Sequence, residues 1–186
     1  MSEVKTPRMR LISGTRDLAE AELSEPGRLA ALLNATVPRQ WPPETLRDAL
    51  PSFLSSCLQS GIFGPWTLGW YGVLEMTGAT TATLCGSVGF KGPPDPQGIV
   101  EIGYAVLPDY QRRGLATEMV VGLSRWALDQ SGVKEVHAEV TPENKSSVRV
   151  LEKSGFIASG PGQESGTTRF RLWSVSNQDE QPVPGR

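Results

Sequence analysis

The stretch LPDYQRRGLATEMVVGLSRWAL, Leu107 to Leu128, decides how the rest of the chain is read. After Gly114 the apolar residues Met119, Val120, Leu123 and Ala127 recur at helical spacing. Just ahead stand Gln111, Arg112 and Arg113. Positive side chains at a helix N-terminus have the wrong sign for the helix dipole, so they ask for a reason. The first turn of a helix leaves backbone N–H groups without intrahelical acceptors. With the dipole, those groups favour an anion, commonly phosphate. Gly114 and the small Ala116 let a ligand come close to the backbone around Leu115, Thr117 adds a hydroxyl, and arginine matches phosphate geometry. Yet the stretch has neither the Gly-Lys-Ser/Thr of a P-loop nor GxGxxG.

Outward from this helix the period changes. IVEIGYAVLP, directly upstream, reads as a strand, as do WTLGWYGVLEM and TATLCGSVGFKG before it. TGAT and GPPDPQG read as the turns of an antiparallel meander. Downstream, KEVHAEVTP is a strand, NKSSVRVLEKSGF a helix with Asn144 as cap and Gly155 as stop, and FIASG and TTRFRLWSV are closing strands. Before Trp66, RMRLIS is a first strand, and Thr15 to Ser60 is helical but punctuated. Ser24 is the expected cap ahead of Pro26, and a second helical segment from Pro43 should be kinked or interrupted at Pro51. The step from strand through the 115–128 helix to the next strand implies a right-handed parallel crossover. The expected fold is therefore α/β, with a mixed, mostly antiparallel central sheet, flanking helices and one parallel strand pair. Residues 8–175 are expected to form a single domain between disordered termini, 1–7 and 176–186.

Bulk composition narrows the function. The net charge of −2 over 186 residues gives no general basic field for nucleic acid. One histidine and two distant cysteines, Cys57 and Cys85, make no zinc site, and no metal is expected. Both thiols read as buried and free. No signal-peptide pattern is seen, nor an apolar run near the roughly 20 residues of a membrane span. A cytoplasmic protein with no membrane partner is expected, as a monomer or homodimer.

QRRGLA matches the Q/R-x-x-G-x-G/A signature of the GCN5-related N-acetyltransferase (GNAT) superfamily, and the chain resembles that family from about Gly86 to Phe156. VTPENKSSVRVLEKSGF resembles a second family segment, about 30 residues on, in which Asn and Ser open a helix ending in E-K-x-G-F. That segment is similar to the branch of ribosomal-protein N-terminal acetyltransferases. The resemblance implies acetyl-coenzyme A as co-substrate, with its diphosphate on the amides of Gln111, Arg112, Arg113, Gly114, Leu115, Ala116 and Thr117. It implies that strands Ile99–Leu107 and Glu135–Thr141 splay, with pantetheine between them. Val106 would offer backbone groups to it, and Asn144 and Ser147 would line its other side. The implied activity is acetyl transfer to a primary amine, whether a protein N-terminus, a lysine or a small molecule. The alternative is a coenzyme A-binding regulatory module without turnover.

Attack of a neutral amine on a thioester needs positioning, an oxyanion site and proton acceptance. Glu101 is the candidate base, sharing a strand face with Gly103 and Ala105, whose small side chains leave room for an acceptor. It reads equally as a strand carboxylate in an ion pair. Ser147 is the candidate on the thiol side, or else a helix-start serine serving backbone amides. Trp41 is the candidate acceptor-binding aromatic, or else lid packing, with Trp66 and Trp70 open to the same two readings. His137 is a second possible base or a surface histidine. No tyrosine follows Asn144, so the family's frequent tyrosine acid has no counterpart in that segment.

Overall fold

The computed structural model describes residues 2–75, 78 and 81–174. The expected hairpin turn at 77–80, apart from Gly78, and the expected disordered tail at 176–186 lie outside those residues. Nine strands form the sheet: β1 (Glu3–Lys5), β2 (Met9–Ser13), β3 (Ala35–Thr36), β4 (Trp70–Leu74), β5 (Ala82–Phe90), β6 (Ile99–Val106), β7 (Glu135–Val140), β8 (Ile157–Pro161) and β9 (Thr168–Trp173). The helices are α1 (Arg16–Ser24), α2 (Pro26–Leu33), α3 (Glu44–Arg47), α4 (Leu50–Ser60), α5 (Leu115–Leu128) and α6 (Lys145–Lys153). None is long and apolar enough to cross a membrane. Strand order is β1-β2-β4-β5-β6-β7-β9-β8, with β3 beside β5. The β4–β5–β6 meander is antiparallel, and β6 meets β7 in parallel, so the mixed fold is as the sequence implies.

Two local expectations change. Within the stretch expected to be disordered at 1–7, Glu3–Lys5 form an edge strand on β2, with Val4 paired to Leu11. Ser24 is the last residue of α1, and its hydroxyl donates to the Glu20 carbonyl instead of capping α2. The segment from Pro43 is interrupted just ahead of Pro51, as expected: α3 ends at Arg47, α4 starts at Leu50, and Pro51 stands in the first turn of α4, where its missing N–H costs nothing.

The two faces of the sheet carry different cores. α5 buries Leu115, Met119, Val120, Leu123 and Ala127 against Trp70, Val88, Val100 and Ile102, and α6 adds Leu151 to this layer. α1 and α2 cover the opposite face through Leu18, Leu29 and Leu33 on Ile12, Tyr71, Val73 and Leu84. α5 lies close to the sheet because two glycines face it. A Cβ on Gly72 would meet Met119 Sδ, and one on Gly86 would stand 3.0 Å from Met119 Cε. Cys85 is buried there too, its thiol donating to the Gly72 carbonyl at 3.4 Å, with burial pushing its pKa up to about 12. The turn at the head of α5 is thus fixed to the centre of the sheet.

Candidate active site

The parallel pairing of β6 and β7 covers Ile99–Glu101 against Glu135–His137 and stops there. Beyond it β6 runs on to Val106 and β7 to Val140 with no further register between them. This is the splay expected between the two strands. It opens toward Val106, and the chain then turns through a short helical turn at Pro108–Tyr110 into the head of α5.

At that head Arg112 and Gly114 both adopt positive φ, 61° and 77°. Gly114 suits this conformation; for Arg112 it is strained, by about 1–2 kcal/mol. Alternating turns of this kind gather backbone N–H groups into a concavity that holds anions. No side chain caps α5, so the N–H groups of Leu115, Ala116 and Thr117 have no acceptor inside the helix. Gln111, Arg112, Arg113 and Gly114 are exposed, and the Arg113 guanidinium lies over the Tyr110 ring at 5.5 Å. Uncapped amides, two arginines and a glycine backbone fit a diphosphate. The carbonyl of Val106 accepts from Gln111 Nε2 at 3.0 Å.

Local sequence gave no sign of what braces this turn. Arg8, over a hundred residues away in sequence, donates from Nη1 to the Arg113 carbonyl at 3.1 Å and from Nε to Glu118 Oε2 at 2.7 Å. Thr6 also donates to Glu118, at 2.6 Å. Burial pushes the Glu118 carboxyl up, but the bonds from Thr6 and Arg8 outweigh it and hold its pKa below the usual value. Arg8→Ala is expected to raise KM for acetyl-coenzyme A about fivefold, as the loss of roughly 1 kcal/mol of exposed pairing and hydrogen bonding would. Initial rates measured against acetyl-coenzyme A check this; an unchanged KM would mean the brace does not hold the turn.

α6 flanks the splay from the other side. Asn144 is its cap: Oδ1 accepts from the Ser147 N–H at 3.1 Å and from Ser146 Oγ at 2.8 Å. The Ser147 carbonyl accepts from the Tyr104 hydroxyl at 3.1 Å. A tyrosine therefore does reach the start of α6, coming from β6 instead of from the segment after Asn144. Burial pushes its pKa up to about 12, which makes it a reluctant acid.

On the α1 and α4 side of β6 lies a cavity of about 320 Å³. Ser87, Gly89, Gly103 and Ala105 line it from the sheet, and Leu46, Leu50, Phe53 and Leu54 line it from α3 and α4. Trp41, Glu22, Tyr71 and Lys91 also stand in its wall. Trp41 Nε1 donates to Glu22 Oε1 at 2.6 Å, and the Tyr71 hydroxyl donates to Oε2 at 2.5 Å. Burial raises the Glu22 pKa, partly offset by these two bonds. Gln40, next to Trp41, donates to Asp109 at 3.0 Å and ties this wall to the turn ahead of α5.

Of the residues named from sequence, Trp41 and Trp70 both line the cavity, Trp70 with its side chain fully buried. Trp66 is not among its lining residues; it packs on Phe90 and Trp126, each with ring centroids 4.8 Å apart. Glu101 is on the same face as Gly103 and Ala105, at the last β6–β7 pair, with its carboxylate 2.5 Å from Lys91 Nζ. His137 is opposite Glu101 in register, its Nε2 2.7 Å from Glu135, whose pKa the adjacent Arg171 lowers. Arg8, Tyr104 and Glu22 are the site residues that sequence reasoning missed.

A mixed sheet opened beside an uncapped, glycine-led helix is a framework for binding an acylated phosphate carrier. Residues 18–157 match the family described as "Acetyltransferase (GNAT) domain", and the chain belongs to that family. Acetyl transfer to an amine is thereby its general chemistry. Over 157 residues it is 28% identical to the uncharacterized N-acetyltransferase YjdG of Bacillus subtilis, covering 83% of this chain and 89% of that one. In fold it is similar to RimL, a ribosomal L7/L12 alpha-N-protein acetyltransferase solved with coenzyme A, at a TM-score of 0.61 and 12% identity, over 92% of this chain and 98% of that one. It is also similar to the microcin C7 self-immunity acetyltransferase MccE solved with acetyl-CoA and AMP, at a TM-score of 0.59 and 15% identity, over 90% and 93%.

Proposed function

We propose that this protein transfers the acetyl group of acetyl-coenzyme A to a primary amine bound in the cavity over Ser87, Gly89, Gly103 and Ala105. The observation that carries this is the meeting of three features along β6: the splay beside it, the uncapped turn after it and the cavity on its face. The amides from Gln111 to Thr117 hold the diphosphate, and Arg112 and Arg113 reach its outer oxygens. Val106 meets the pantetheine, with Asn144 and Ser147 on the far side of the splay. The motif from Asn144 to Phe156 and the fold of RimL support a place near the ribosomal-protein N-terminal acetyltransferases. Neither carries the acceptor, because acceptor specificity is set by the loops over a shared scaffold.

The neutral amine nitrogen attacks the thioester carbonyl, the C–S bond breaks, and coenzyme A leaves as thiolate. The proton lost by the amine passes through water to Glu101 on the cavity face of β6. Lys91 competes with the acceptor for this carboxylate, its ammonium lying 2.5 Å from Glu101. Ser147 stands on the thiol side, where the nascent thiolate needs a donor. The test pairs calorimetry with coenzyme A and thiol release over a panel of amines, repeated for Glu101→Gln. We expect kcat to fall about a hundredfold in that variant, the usual worth of a positioned base, with coenzyme A affinity kept. A loss below about threefold would reduce the Lys91–Glu101 pair to a structural one. Coenzyme A binding with no thiol release for any amine would favour a module without turnover.

A further inference from the structure

The carboxylates around the cavity are not equivalent. Glu101 is matched by the Lys91 ammonium. Glu22 meets only neutral donors, Trp41 Nε1–H and Tyr71 O–H, one on each oxygen, and among the described residues no cation pairs with it. The two donors fix the carboxylate's orientation without cancelling its charge. Leu46, Leu50, Phe53, Leu54 and the rings around them make the remaining wall mostly hydrocarbon. An oriented, uncompensated carboxylate in an apolar cavity favours an incoming cation, because the alternative is a poorly solvated negative charge.

Strand register says how far this group stands from the reacting end. Tyr71 pairs with Ser87, and Ser87 with Ala105, so the three positions form one row across β4, β5 and β6 on the cavity face. Two strand spacings, about 9.5 Å, separate its ends. Ala105 adjoins Val106 at the splayed edge, where the thioester belongs, while Tyr71 holds Glu22 at the other end. One amino group does not serve both places.

We propose that the acceptor is an aliphatic diamine. One amino nitrogen reaches the thioester at the β6 edge, and the other, as ammonium, is held by Glu22. The methylene chain lies over Ser87, Gly89 and Gly103, beneath Leu50 and Leu54. This rests on the acetyltransferase reading above and adds the substrate class. At the reacting end a C–N bond forms, the C–S bond breaks, thiolate leaves and the amine proton passes through water to Glu101. The distal ammonium and Glu22 exchange nothing. An alkyl monoamine of equal length leaves Glu22 without its partner. A peptide N-terminus brings backbone amides against walls that offer them few hydrogen bonds.

The experiment measures thiol release for diamines from propanediamine to octanediamine against monoamines of the same carbon number, alongside calorimetry with coenzyme A. Wild-type kcat/KM should favour the diamine by about tenfold or more at the best length, the size expected of a charge-assisted hydrogen bond. In Glu22→Gln, which keeps the side chain's shape, the preference should fall to parity while coenzyme A still binds. A wild-type ratio at parity for every length, a preference that survives Glu22→Gln, or faster acetylation of peptides than of any diamine would each overturn the proposal. With coenzyme A heat present, those results leave the acetyltransferase reading standing; absence of that heat overturns both.

Discussion

Gly114→Glu is expected to abolish coenzyme A binding without unfolding the protein. A Cβ at this position meets only Arg8 Nη2, at 3.6 Å, so packing does not forbid the substitution. The positive φ of 77° adds strain of about 1–2 kcal/mol for any residue with a side chain. Electrostatic repulsion weighs more. A carboxylate about 4 Å from a diphosphate charge, at the effective dielectric of a protein surface, costs roughly 4 kcal/mol, about three decades in Kd. It would also draw Arg8 away from the Arg113 carbonyl that Arg8 now braces. Calorimetry and a thermal melt measure the two halves. Loss of coenzyme A heat with a near-native melt is the expected pair. Gly114→Ala separates the causes, since it carries the backbone strain alone and should weaken binding only about tenfold. Near-normal affinity in Gly114→Glu would remove this turn from the cofactor site.

The parts of this fold that repeat locally were legible in the sequence. Met119, Val120, Leu123 and Ala127 announce α5 by period, and alternation in β6 places Glu101, Gly103 and Ala105 on one face. The cap on α6 was visible because Asn144 and Ser147 are three residues apart, within reach of one helical turn. What escaped depends on long-range pairing. β1 is three polar-flanked residues whose strand character comes only from lying beside β2. Arg8 and Glu118 meet because β2 and the head of α5 are neighbours in space, a fact no window of sequence holds. Glu22, Trp41 and Tyr71 come from a helix, a loop and a strand, so the negative wall of the cavity exists only after folding. Tyr104 shows the same limit: its hydroxyl reaches α6 across the splay, where a search confined to the segment after Asn144 finds no tyrosine.

Trp70→Ala is expected to produce the largest loss of stability. Trp70 is fully buried on β4, its indole N–H donates to the Pro65 carbonyl at 2.9 Å, and its ring meets Trp126 edge-on with centroids 4.9 Å apart. Trp126 in turn packs on Trp66, so this aromatic group seats the C-terminal half of α5 on the sheet. Truncation removes the largest fully buried side chain and leaves a void and an unpaired carbonyl, at a cost of about 3–5 kcal/mol. For a domain of this length each kcal/mol moves Tm by about 2–4 °C, so a fall of roughly 6–20 °C is expected. The turn proposed to hold the diphosphate stands at the other end of α5, braced by Arg8 and Glu118. Coenzyme A affinity measured well below the lowered Tm should therefore stay within about threefold of wild type, since sites this far apart act nearly independently. A binding loss in the folded variant, with little change in Tm, would instead mean that the Trp70 ring belongs to the ligand site and not to the seat of the helix.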